Sequence, residues 1–172
     1  DKEVWDKRKP KDKPYFITDG MNGNYTFFGF ITELLNGWDD AEEQEIKVFR
    51  ACKTGKVDSE SFIPSFEENN YRYSDEDDKA DPGLYSLSSY EKPSDIKRFA
   101  TMINSFKIPF KIAVGVTSPD CGPSQRTKKR KPKSKNSHVD WWLYEGAKPY
   151  IHFTLIDDFE QYHKEYKERS QP

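Results

Sequence analysis

Between Pro93 and Thr117 the apolar pattern changes its period, and that change constrains the fold more than any other feature of the chain. Ile96, Phe99, Ala100, Ile103 and Phe106 recur at three- and four-residue spacing after Pro93 and Ser94, two residues that open helices. From Pro109 to Thr117 the spacing becomes strict alternation. Phe110, Ile112, Val114 and Val116 are set against Lys111, Ala113, Gly115 and Thr117, the pattern of a strand. An amphipathic helix that runs so soon into a strand must bury its apolar stripe on the sheet the strand joins.

The other segments fit around that pair. Glu45–Cys52, Gly83–Ser89, Val139–Tyr144 and Tyr150–Ile156 read as strands, the second with its hydroxyls exposed. Asn24–Asn36 reads as a short apolar helix ended by Gly37, and Ser59–Asn69 as a helix capped by Asp58 and disturbed by Pro64. Asp157–Arg169 is predicted as an amphipathic helix with Phe159, Tyr162 and Tyr166 inward and His163 exposed. Strands do not alternate regularly with helices, and two late strands are joined only by the Glu145-Gly146 turn. The expectation is a single α+β domain over residues 15–172, with a mixed or mostly antiparallel sheet flanked by helices. Residues 1–14, charged and interrupted by Pro10 and Pro14, read as a flexible arm. Residues 118–137, with three prolines and almost no apolar side chain, read as a mobile basic loop.

The core has to be small relative to the surface, since apolar and charged residues each make up 34% of the 172 residues. Aromatic side chains offset this: 12 Phe, 10 Tyr and 4 Trp bury large areas each, which excludes a disordered chain. Cys52 and Cys121 form neither a disulfide framework nor a zinc pair, so no metal is expected. No secretory leader or long apolar run is visible, so the expected setting is cytoplasmic, away from membranes.

Charge is segregated. Asp58–Asp81 is strongly acidic, whereas Arg126, Lys128, Lys129, Arg130, Lys131, Lys133 and Lys135 crowd into ten residues without an acid. Such a run binds a phosphate backbone with release of counterions, and Trp141, Trp142 or Tyr144 nearby can stack bases. The alternatives are an acidic protein partner or a solvated loop in front of core tryptophans. The acidic stretch Asp75–Asp81 offers a further partner surface. His138 and Asp140 lie two apart on one strand face, as a base and its orienting acid would, as half of a metal site for which no second cluster is visible, or as an ordinary histidine at a loop–strand junction.

Three further segments carry chemistry. Arg50 ends an apolar strand, where a guanidinium is expensive without an anionic partner, and a ligand phosphate matches its fork. Tyr85-Ser86-Leu87-Ser88-Ser89 is hydroxyl-rich, and Glu145 ends a Trp-rich strand. This order of arginine, serine and glutamate resembles the arginine–serine–glutamate class of ADP-ribosyltransferase-like domains, over about residues 46–156. The resemblance implies NAD as cofactor, Arg50 as its grip, Tyr85, Ser86 and Ser88 as pocket lining, and Glu145 as the catalytic carboxylate of a toxin or defence effector. The class often has an acid or amide two residues before the glutamate; Leu143 stands there, which argues against an arginine-type acceptor. Without that chemistry, Arg50 pairs within the core, the serines face solvent and Glu145 is a turn residue.

Overall fold

The computed structural model describes residues 17–18, 26–27, 41–65, 81–104, 111–144 and 146–170. Two short strands, β1 (Ile17–Thr18) and β2 (Thr26–Phe27), pair antiparallel with each other. The main sheet contains β3 (Lys47–Cys52), β4 (Leu87–Tyr90), β5 (Lys111–Val116), β6 (Ser124–Arg126), β7 (His138–Trp141) and β8 (Phe153–Leu155). Their spatial order is β6-β7-β4-β3-β5-β8, and the registered neighbours run antiparallel. Helices α1 (Pro93–Asn104), α2 (Thr127–Arg130) and α3 (Phe159–Ser170) complete an α+β domain. Among the described residues no helix is long and apolar enough to cross a membrane.

β3 occupies the centre because both of its faces are apolar, the mark of a strand covered on both sides. Phe49 and Ala51 join Ile112 of β5 and Ile96 and Ala100 of α1 in one core, with Phe159 and Tyr162 of α3 against it. The Phe49 and Tyr162 rings meet edge to face at 5.7 Å. Val48 and Cys52 point the other way, into a core with Leu87, Ala113, Val139, Trp141 and Phe153. That second face is closed by irregular chain carrying Phe62, Leu143 and Tyr150. Each large apolar side chain so buried contributes about 1.5–3 kcal/mol of transfer free energy.

The β3–β5 ladder is complete from Lys47↔Val116 to Cys52↔Lys111, but β3 and β4 share only the pair Phe49↔Tyr90. Arg50 bridges the opening beyond that pair. Its Nε donates to the Ser61 carbonyl at 3.0 Å and its Nη1 to the Ser88 carbonyl at 2.8 Å. The neighbouring chain is tied in as well, through the Ser65 N–H to the Ser86 carbonyl at 3.0 Å.

Several sequence expectations are corrected. Residues 118–137 hold a 3-10 turn (Pro119–Cys121), the edge strand β6 and α2, so the stretch read as loop builds one end of the sheet. The first half of the strand expected at Gly83–Ser89 is a 3-10 turn (Pro82–Tyr85), because Pro82 and the Asp81 cap favour a turn there. Its serines are not exposed: Ser86 and Ser89 are fully buried. The strand expected at Tyr150–Ile156 likewise begins as a 3-10 turn (Pro149–His152). Only Ser59–Ser61 is helical at the start of Ser59–Asn69, consistent with Pro64, and residues 66–69 lie outside the described ones. Thr26 and Phe27 are in β2 rather than a helix, and the rest of Asn24–Asn36 lies outside the described residues, as does the arm 1–14. His163, expected outside, is buried, with its ring stacked on Phe159 at 5.9 Å.

Gly122 pins the edge of the sheet. Its φ of +137° lies outside the range of ordinary residues, and a Cβ there would stand 1.9 Å from the Trp142 carbonyl oxygen. Its own carbonyl accepts the Trp141 indole N–H at 3.0 Å. Gly122→Ala is expected to lower the unfolding free energy by about 3 kcal/mol, from backbone strain and overpacking together, read as a lower urea midpoint. An unchanged midpoint would refute the packing described for this edge.

Candidate functional site

The site follows from the register of two strands. β4 and β7 align Ser88 with Asp140 and Tyr90 with His138, so four polar or amphipathic side chains share one face at the β6–β7–β4 end of the sheet. On β7 the spacing of two puts His138 and Asp140 on that face, while Val139 and Trp141 go to the core. β6 pairs alongside β7 with Gln125 opposite Asp140, and the chain then turns into α2. This fold-back brings Thr127 and Arg130 within reach of Asp140.

Asp140 is 1% exposed and its carboxylate is fully engaged. Oδ1 lies 2.7 Å from the Ser86 hydroxyl; Oδ2 accepts from the Thr127 hydroxyl at 2.8 Å and from Arg130 Nη2 at 3.0 Å. A buried carboxylate is tolerable only with such pairing. Arg130 in turn lies over the Trp142 ring at 5.7 Å, donates to Gln125 Oε1, and stands 3.6 Å from Asp81. Gly83 leaves room for this packing, since a Cβ there would come within 2.9 Å of Arg130 Nη2 and 3.2 Å of Asp140 Oδ1. Lys131 also pairs with Asp81. Burial alone would raise the Asp81 carboxyl, but its bonds from Lys131 and the Gly83 N–H, and the charges of Lys131 and Arg130, hold it below the usual range.

Thr127 Oγ1 also sits 2.6 Å from His138 Nδ1. The hydroxyl has one proton, and the acceptor-only carboxylate of Asp140 takes it. Nδ1 must then carry the ring proton and donate to Thr127, which leaves Nε2 as a bare acceptor. Nε2 has no hydrogen-bond partner among the described residues. The Tyr90 ring holds the imidazole edge to face at 5.2 Å. Burial, with the charges of Arg130, Lys131 and Arg50, pushes the His138 pKa below its ordinary value despite Asp140. The imidazole is therefore neutral near pH 7, as a proton acceptor must be.

His138 opens on a cavity of about 480 Å³, walled also by Ser65, Ser88, Thr127, Asp81, Arg130 and Lys131. That volume lies in the range of small-molecule sites. Of the residues the resemblance points to, Ser88 is on the wall. Ser86 is beneath it with its hydroxyl turned to Asp140, and Tyr85 is 2% exposed. Arg50 is 2% exposed and reaches the site through the Ser88 carbonyl. Glu145 lies outside the described residues.

The basic run divides. Arg126 forms a two-pronged pair with Glu91, Nε–Oε2 at 3.0 Å and Nη2–Oε1 at 3.1 Å. Arg130 turns inward as described; Lys131 is exposed but paired with Asp81, and Lys128, Lys129, Lys133 and Lys135 are exposed. The tryptophans expected to stack bases are core residues: Trp141 is 0% and Trp142 1% exposed. Tyr144 is buried too, its hydroxyl bonded to Glu43. Both thiols are buried, and burial pushes Cys52 up to about 11 and raises Cys121, so neither is a ready nucleophile. Among the described residues no cluster of three or more His, Cys, Asp or Glu side chains is placed to hold a metal ion. The spacing of His138 and Asp140 was visible in the sequence; Thr127, Asp81 and the inward turn of Arg130 carried no local signal.

The chain matches no family model, no curated protein and no solved structure.

Two outcomes are expected. Asp140→Asn leaves the Arg130 guanidinium without its buried counter-charge and should destabilise the fold by about 3–5 kcal/mol in urea titration. The second concerns pH. The folded His138 pKa lies below the ordinary 6.5, so below that pH the unfolded chain binds a proton the folded chain refuses. Stability should be full above about pH 6.5 and fall as the pH drops toward the folded pKa. His163, also lowered by burial and by the charges of Lys167 and Lys97, adds to the slope, so His138→Asn should reduce it without abolishing it. Urea midpoints that do not fall between pH 7 and 5 would contradict this.

Proposed function

We propose that the chain is an enzyme acting on a phosphate-bearing nucleotide, NAD in the form implied by the resemblance to ADP-ribosyltransferase-like domains. The observation that carries the proposal is the hydrogen-bond chain from His138 Nδ1 through Thr127 to Asp140, which fixes the ring tautomer and leaves Nε2 bare at a polar cavity. Arg130 and Lys131 on the same wall supply the cations that a pyrophosphate needs. Lys131 is held by Asp81, so the phosphate has to compete with that carboxylate.

In this reading His138 Nε2 takes the proton from an attacking water or acceptor hydroxyl. The freed oxygen pair bonds to the ribose carbon, the carbon–nitrogen glycosidic bond breaks, and its electrons leave on nicotinamide as a neutral pyridine. Asp140, through Thr127, stabilises the imidazolium that forms. The position of Ser88 on the wall suits it to line the nicotinamide end. Arg50 has a different role from the one the resemblance implies: two of its donors hold the Ser61 and Ser88 carbonyls, so it shapes the wall and does not grip phosphate. For Glu145, which lies outside the described residues, the resemblance implies the role of stabilising positive charge at the ribose.

Nicotinamide release from NAD, followed by chromatography, tests the proposal. The wild-type chain should release it, with a rate that falls on the acid side as His138 protonates, at a midpoint below the ordinary histidine value. His138→Gln should lower the rate by about 10²-fold or more and remove that limb of the profile. Absence of both nicotinamide release and calorimetric binding at millimolar NAD would end the nucleotide reading in its NAD form. Loss with Glu145→Gln but not with His138→Gln would retain NAD and remove His138 as the proton acceptor.

A further inference from the structure

The structure divides the seven cations between Arg126 and Lys135 into two sets, and the division points to a second binding surface. Arg126, Arg130 and Lys131 are held by Glu91, Asp140 and Asp81. Lys128, Lys129, Lys133 and Lys135 are exposed and have no hydrogen bond or ion pair among the described residues. All four lie on α2 and the turn that follows it, one continuous segment. Lys128 and Lys129 also wall a second cavity of about 450 Å³, with Glu42, Gln44 and residues of β6, which shares no lining residue with the His138 cavity. A segment pinned at Arg126, Arg130 and Lys131 holds its remaining lysines outward with little freedom to fold back. Four like charges within eight residues of chain repel one another, and a row of phosphates relieves that repulsion.

We propose that this lysine face docks the backbone of double-helical nucleic acid without reading its sequence. The choice of a duplex rests on what the face lacks. Single strands are held largely by stacking on aromatic rings, and the rings nearest in sequence, Trp141, Trp142 and Tyr144, are 0%, 1% and 3% exposed. The large apolar side chains exposed among the described residues, Met102 and Ile151, belong to other parts of the chain. What remains is charge, which suits the regular phosphate rows of a duplex.

The inference is independent of the nucleotide reading and has its own magnitude. Four phosphate contacts give a logarithmic salt slope of about −3.6 on a duplex, against about −6.3 if all seven cations took part. Affinity should therefore fall by about 150-fold between roughly 50 and 200 mM salt. The experiment is fluorescence anisotropy of a labelled random-sequence duplex over that range. The probe is then exchanged for the corresponding single strand and for polyglutamate.

The expected result is the four-contact slope, weaker binding of the other two polymers, and loss of duplex binding in the variant K128Q/K129Q/K133Q/K135Q. These side chains are exposed, so that variant should keep its urea midpoint and its nicotinamide release, which separates failure here from failure of the cavity proposal. Three outcomes would overturn the inference: no duplex binding at the lowest salt, a slope unchanged by the four substitutions, or tighter binding of polyglutamate than of duplex. The last would assign the face to an acidic protein instead.

Discussion

Asp140 is a carboxylate with 1% of its surface exposed, and the polar end of the sheet is organised around the need to satisfy it. Its oxygens gather Ser86 from the turn before β4, Thr127 from the start of α2 and Arg130 from its end. α2, of sequence Thr127-Lys128-Lys129-Arg130, has no apolar side chain of its own to hold it there. Withdrawing an ion from water costs several kcal/mol unless partners replace the lost hydration, so one buried charge fixes the positions of all its partners. The packing of Gly83, Trp142 and Gln125 around Arg130 follows from the same requirement.

Arg50 is the second buried charge, one strand pair away, and it is satisfied differently. Its Nε and Nη1 go to main-chain carbonyls where β3 and β4 part, so it stands in for a missing stretch of ladder. The open seam and the polar face of β7 meet at Ser88. A sheet whose strands diverge cannot be filled by apolar side chains along the seam without burying carbonyls unpaired. Polar groups take the seam instead, and polar groups of fixed length leave space between them. The cavity beside His138 is the geometrical consequence of that polar wedge.

The basic segment shows how one composition serves two purposes. Three cations neutralise carboxylates and thereby hold β6 and α2 on the sheet; the others keep their charge for the solvent side. A count of positive residues treats them alike, although only those not already paired with a carboxylate can release counterions to a phosphate backbone without first breaking an ion pair.

The α1 and α3 helices and the strands β3 and β5 were legible because each writes its burial into a local period: Ile96 and Ala100 on one helical stripe, Phe159 and Tyr162 on another, Val48 and Phe49 on opposite faces of a strand. The α+β class and the pairing of His138 with Asp140 on one strand face came from the same local arithmetic. Tertiary structure alone decided that Ser86 faces a carboxylate, that Thr127 links His138 to Asp140, that the tryptophans are covered, and that Arg130 points in while Lys133 points out. Those outcomes join residues between 10 and 54 positions apart, and which polar group meets which is settled by strand register and charge burial. A periodicity carries apolar or polar, and nothing about the partner.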